Sequence, residues 1–222
     1  MQAVNRRLCA CAAIAGAFLL PAAQAAIINF ENLALTGLYL AGESFEQTGY
    51  RMTVDFDAGL VDVAAALGSA APTGNATQFY SQLNEGGLFV QRSNGGLFSL
   101  NGFDAAFVPL TPAASGTTVI AAVGWTAGNL TATADFGVAW LFDRSFASYN
   151  DPIDFAGFSQ LRLVEFFSCS FDVGGVCASP IQNNGQFAID NINVTSVPEP
   201  TTIALVALSL LGMALLPKRR AV

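Results

Sequence analysis

The chain contains no histidine. That absence removes Ser-His-Asp and Cys-His nucleophilic catalysis, His-ligated zinc and the imidazole general base. Carboxylate-only chemistry, as in most glycosidases, passes this filter. Positive charge is nearly missing too. Between residues 26 and 196 there are four Arg and no Lys against 15 Asp plus Glu, a net charge of −11. A body of that sign repels nucleic acid and anionic lipid headgroups, so no nucleic-acid partner is expected. Cysteine is scarce: four in all, and Cys9 and Cys11 lie close to the N-terminus.

What the chain does have is concentrated at its ends. Arg6 and Arg7 are followed by an apolar run, Leu8 to Leu20, and then by the small-residue triplet Ala23-Gln24-Ala25. That order of basic, apolar and A-x-A segments reads as a secretory signal peptide over residues 1–25, with cleavage before Ala26. Adjacent Arg6-Arg7 raises twin-arginine export, but the flanking pattern is poor; Cys9 raises a lipoprotein, but it stands too early in the apolar run. At the other end, Thr201 to Leu216 is a second apolar segment. Sixteen residues reach roughly 24 Å as a helix, short of the ~30 Å hydrocarbon core, a gap that bilayer thinning or snorkelling can close. Lys218, Arg219 and Arg220 follow directly and are expected to stay in the cytoplasm as a stop-transfer signal.

Pro198-Glu199-Pro200, the apolar segment and the basic end together resemble the PEP-CTERM sorting signal of Gram-negative bacteria. The resemblance implies recognition at the inner membrane by an exosortase, a membrane-embedded enzyme that removes the anchor near the motif. The physical logic agrees. Two prolines hold the segment extended and outside any helix or sheet, where a protease-like site can grip it.

Between the ends, Phe, Val, Thr and Ile alternate with polar residues, and Gly or Asn punctuates every eight to twelve positions. Strands are expected over Ala26–Asn32, Tyr50–Phe56, Gly87–Gln91, Gly96–Leu100, Gly102–Val108, Thr117–Thr126, Thr131–Phe136, Gln160–Phe167 and Phe187–Thr195. Only Asp62–Leu67 looks helical. The fold class that follows is all-β: an antiparallel β-sandwich of jelly-roll type over residues 26–195, preceded by the signal peptide and followed by the sorting segment 196–222. The 18 Phe are expected to fill its core.

The last strand, GQFAIDNINV from Gly185 to Val194, contains Gln-Phe-x-x-Asp and runs into VPEP. It resembles a QFxxD subfamily of PEP-CTERM proteins, which are variable, secreted and without assigned chemistry. The end strands are also similar to those of carbohydrate-binding jelly rolls, in which an acidic residue on the first strand and an Asp on the last share a structural calcium. The matching positions are Glu31 and Asp190. Calcium needs six to eight oxygens, so backbone carbonyls and water would complete the set. The competing reading leaves both carboxylates in solvent or uses Asp190 as a turn cap.

Cys169 and Cys177 are the cysteines left after signal removal, and an exported location makes a disulfide across their short loop the natural reading. Asp55 with Asp57, and Asp151 with Asp154, are candidate calcium ligands or a glycosidase dyad, weighed against solvated loop carboxylates. Trp125 and Trp140 sit in apolar strands and are expected in the core, whereas Tyr80 and Tyr149 are the expected exposed rings for sugar stacking. Asn75, Asn129 and Asn193 begin N-x-T triplets, a weak signal in a bacterial chain. The reading that emerges is an exported, non-enzymatic surface or matrix protein. Its partners are an exosortase, the inner membrane during sorting and exopolysaccharide. The rivals are a carbohydrate-binding module and a calcium-dependent glycoside hydrolase or lyase.

Overall fold

Alternation shapes several strands of this fold, and others are buried on both faces. In Tyr50–Asp55, residues Tyr50, Met52 and Val54 are buried while Arg51, Thr53 and Asp55 face outward. The same alternation buries Leu88 and Val90, and Val164 and Phe166, whereas Val119 to Ala122 are buried on both faces. The main core that results holds Phe30, Phe98, Phe107, Phe158, Phe166 and Phe187, all essentially inaccessible, with two smaller buried clusters around Phe79 and around Val119. Each such side chain contributes about 1.5–3 kcal/mol on burial.

The computed structural model describes residues 23–35, 37–84, 86–108, 117–128, 130–136, 144–171, 177–178 and 185–198. Among them are 14 strands: β1 (Ala25–Ile28), β2 (Gly37–Leu40), β3 (Ser44–Gln47), β4 (Tyr50–Asp55), β5 (Ala58–Asp62), β6 (Phe79–Leu83), β7 (Gly87–Arg92), β8 (Phe98–Phe107), β9 (Thr117–Thr126), β10 (Thr131–Phe136), β11 (Ala147–Tyr149), β12 (Leu161–Phe171), β13 (Cys177–Ala178) and β14 (Phe187–Ser196). Every pairing between these strands is antiparallel. Hydrogen bonding joins them in one sheet instead of two, nine along the path β2-β5-β6-β14-β8-β12-β7-β4-β3 and β1, β9, β10, β11 and β13 off that path.

The path curls until its two ends nearly meet. Tyr39 of β2 lies 4.5 Å from Phe45 of β3, ring centre to ring centre. Gly42 N donates to Val54 O at 2.9 Å and so ties the β2–β3 link to β4. The expectation of an all-β, antiparallel body therefore holds, with a nearly closed sheet around the core. β3 and β4 form a tight hairpin because Thr48 and Gly49 both take positive φ (52° and 82°), the geometry of a two-residue turn whose twist matches the strands.

Several boundaries differ from expectation, each for a visible reason. β1 stops at Ile28, short of Asn32, because Phe30 and Asn32 take left-handed φ of 56° and 65° and break the ladder. The expected Gly96–Leu100 and Gly102–Val108 strands are one, β8, running through Gly102. Asp62–Leu67 is not an α-helix: Asp62 ends β5, and a 3-10 turn over Ala64–Ala70 follows, interrupted by positive φ at Gly68. Most of the signal segment, Glu199, Pro200, the Thr201–Leu216 apolar stretch and Lys218, Arg219 and Arg220 lie outside the described residues. Among the described residues no helix is long and apolar enough to cross a membrane.

Candidate functional site

β14 closes the molecule. Its first half pairs with β6 on one side, its second half with β1 on that same side, and β8 flanks it on the other. The register shifts where this exchange occurs, after Asp190, and Asn191 takes a left-handed φ of 48°. Such a bulge re-aims side chains. Here it leaves Asp190 fully buried, with Asn191 N donating to Asp190 Oδ1 at 2.7 Å.

The turn before β6 clamps this carboxylate. Asn75 Nδ2 donates to Asp190 Oδ2 at 2.7 Å and Thr77 Oγ1 donates to the same oxygen at 3.3 Å. The same turn reaches Glu31, since Gln78 N donates to Glu31 Oε1 at 3.0 Å and Gln78 Nε2 to Leu33 O at 3.1 Å. Glu31 and Asp190 are thus joined through residues 75–78, a link that sequence reading missed because it spans more than a hundred positions. The N-x-T triplet at Asn75 turns out to be a structural clamp.

Every donor at Asp190 is neutral. Burial pushes its carboxyl up to about 6; the bonds from Asn75, Asn191 and Thr77 pull it back, and Asp104, paired with it across β8, adds to the rise. Among the described residues the one salt bridge is Arg51–Glu46, at 3.0 Å on the surface, so nothing there neutralises Asp190. No group of three or more His, Cys, Asp or Glu among the described residues is arranged to hold a metal. A cation at this junction would have two carboxylates and would depend on carbonyls and water for the rest.

The other candidates rearrange. Asp55 and Asp57 do not share a face: Asp55 ends β4, whereas Asp57 lies beyond it with φ 48°. Asp55 instead meets Glu165 of β12 across Gly87, where an added Cβ would stand 3.3 Å from Glu165 Oε1 and 3.6 Å from Asp55 Cβ. Burial and a side-chain hydrogen bond with Asp55 push Glu165 up to about 7. Asp151 and Asp154 are exposed turn residues, Asp151 Oδ1 accepting from Ile153 N at 2.9 Å.

The aromatic expectations partly invert. Tyr80 is fully buried, 6.0 Å from Phe30, and burial raises its hydroxyl far above the ordinary tyrosine range. Trp125 is half-buried, 6.4 Å from Phe89, on the face of β9 opposite Ile120 and Ala122. Tyr149 is half-buried against Phe103, and burial pushes its hydroxyl up to about 12. Trp140 and Asn129 lie outside the described residues. Cys169 is buried; the side chain of Cys177 is not among those described.

Residues 196–220 match the family model for the PEP-CTERM protein-sorting motif. No curated protein sequence matches the chain. Among solved structures, it is similar to a DUF4465 family protein from Bacteroides ovatus: 8% identity, TM-score 0.42, over 79% of this chain and 100% of the other. It is also similar to the enzymatically active domain of Bacteriophage CBA120 tailspike protein 4: 12% identity, TM-score 0.27, over 76% of this chain and 20% of the other. Both likenesses are too distant to carry an argument about function. The motif is the comparison that speaks to what happens to the chain.

Proposed function

We propose that this is an exported, non-enzymatic protein of the bacterial cell surface or extracellular matrix, sorted by an exosortase through Pro198-Glu199-Pro200. The observation that carries the reading is the motif match over residues 196–220, which begins at the last residue of β14. The apolar segment Thr201–Leu216 serves as the transient anchor, with Lys218, Arg219 and Arg220 as its cytoplasmic stop, and the Gln186-Phe187-x-x-Asp190 resemblance supports grouping the chain with variable secreted proteins of the QFxxD kind. The body takes no catalytic role in this reading. It has no histidine, and one carboxyl pair among the described residues, Asp55 and Glu165, is hydrogen-bonded to itself. Intact mass of the mature protein from its native host tests the sorting. Loss of the tail near Val197–Pro200 is expected; a protein still ending in KRRAV would defeat the proposal.

Two structural supports belong to this reading. A disulfide between Cys169 and Cys177 is supported by Cys169, buried and bonded through its sulfur, and by the pairing of β13 with β12. A structural calcium at Asp190 and Glu31 is supported by the buried carboxylate that lacks a counter-charge among the described residues. Loop carbonyls and water would complete its shell, and it would staple the start of the body to β14 without any part in catalysis. EDTA should then lower the melting temperature, and calcium should restore it. An unchanged melting temperature removes the calcium. A second reading, a carbohydrate-binding body facing exopolysaccharide, is favoured by an uncharged cleft on β8 and β14.

A further inference from the structure

A cleft of about 560 Å³ opens over β8 and β14. That volume lies within the ~300–1,000 Å³ usual for small-ligand sites. Its walls carry Ser99, Asn101, Asn150, Ser159 and Asn193, and its apolar floor includes Phe155. No ionisable side chain lines it, although the surrounding body is strongly acidic.

Three local features build this cleft. Asn193 lies at the irregular register of β14, shifted on both sides, and pairs with Gly102 of β8. Gly102 has no side chain because residues 149–150 pass directly over it: an added Cβ would stand 2.6 Å from Tyr149 O and 3.1 Å from Asn150 Cβ. That close approach brings the Asn150 amide beside the other two. The far wall is tied down by Leu100 N donating to Phe158 O at 3.0 Å and by the edge contacts of Phe155 with Phe103 and Phe158, at 6.1 and 6.0 Å.

The amides are oriented. Asn101 Nδ2 donates to Thr195 Oγ1 at 2.8 Å and to Asn193 Oδ1 at 3.4 Å. This bonding assigns the Asn101 nitrogen to the protein and leaves its Oδ1 as an acceptor without a partner among the described residues. It likewise occupies Asn193 Oδ1 and leaves Asn193 Nδ2 as a donor. Asn150 brings a donor and an acceptor, both without a protein partner among the described residues. Neighbouring donors and acceptors without charge are the complement of adjacent hydroxyl groups. The apolar floor suits the C–H face of a sugar ring.

We propose that this cleft binds a neutral polyhydroxylated ligand, the sugar residues of an uncharged polysaccharide. The proposal deepens the carbohydrate-binding reading and stands apart from sorting. It is tested on the purified full-length protein in mild detergent, whether or not the tail is ever processed.

The probe is affinity electrophoresis through gels holding hydroxyethylcellulose, galactomannan or dextran, with alginate as the acidic comparison. Retardation by at least one neutral gel and none by alginate is expected. Asn150→Ala and Ser159→Ala remove exposed groups without a side-chain partner among the described residues, so their melting temperatures should equal that of the parent. Together they should weaken retardation about tenfold or more, while Arg51→Ala on β4 leaves it unchanged. No retardation in any neutral gel overturns the proposal. So does retardation by alginate alone, or retardation that the double variant leaves intact.

Discussion

Gly59 of β5 lies against the Tyr80 ring, and a Cβ added there would stand 2.1 Å from the Tyr80 hydroxyl oxygen. Tyr80 cannot yield. It is fully buried between Phe30 and Phe45, and its hydroxyl donates to Gln82 Oε1. Gly59→Ala should therefore destabilise the fold by about 1–3 kcal/mol, the usual cost of overpacking, as measured by urea unfolding. Tyr80→Phe in the same background should not restore it, because the ring carbons also stand within 2.3 Å of the added methyl. Asp190 offers a second test at this scale. Asp190→Asn removes a buried charge but keeps the shape and one acceptor for Asn75 or Thr77. If calcium occupies the junction, the substitution should abolish the response of the melting temperature to EDTA; a response that persists places the cation elsewhere.

At the scale of elements, β14 carries the register break on which the junction depends. Asn191 holds φ at 48° and its Nδ2 donates to Asp104 Oδ2 at 2.7 Å. Asn191→Gly should be the mildest change here, since glycine accepts that backbone geometry. Asn191→Val should cost about 1–2 kcal/mol more, because a β-branched side chain is strained in the left-handed region. Comparing the two by thermal unfolding separates the backbone effect from the lost bond to Asp104. Long strands were legible in the sequence: β9, β10 and β14 fall within a residue of their expected bounds, because Val, Ile, Thr and Phe alternate over six to ten positions. Short strands were not. β2, GLYL, and β11, ASY, are strands because β5 and β8 offer them an edge, which no local pattern announces. Asp190 was legible as an acid of the last strand, whereas Glu31, expected on the first strand, lies in the turn beyond β1 because the ladder breaks at Phe30. The 75–78 clamp and the meeting of Asp55 with Glu165 were not legible, since both are made by strands that lie side by side but far apart in sequence.

For the whole molecule, two raised carboxyls set how stability should depend on pH. Folded Asp190 keeps its proton up to about pH 6 and folded Glu165 up to about 7, against ordinary values of 3.8 and 4.5. Across that interval the folded chain binds more protons than the unfolded one, so stability falls as pH rises and levels off above about 7. The melting temperature should accordingly climb as metal-free protein is taken from pH 7.5 to 5. Saturating calcium should flatten the climb, because a cation favours ionised Asp190. A melting temperature that drops over the same range in metal-free buffer would contradict the burial of both groups.

The two ends of the body also share one location. Gln24 N donates to Ser196 Oγ at 3.0 Å, Ser196 N to Gln24 O at 2.9 Å, and Val197 N to Leu97 O at 2.9 Å. Pro198 has no N–H to give, so the ladder ends there. Any tether attached beyond Pro198 therefore pulls on a strand gripped on both flanks, by β1 and β8. Tension along that strand loads its hydrogen bonds in shear, many at once, where a tether on an outer strand such as β2 would peel them singly. A body tethered at this point is held along the whole length of a doubly paired strand.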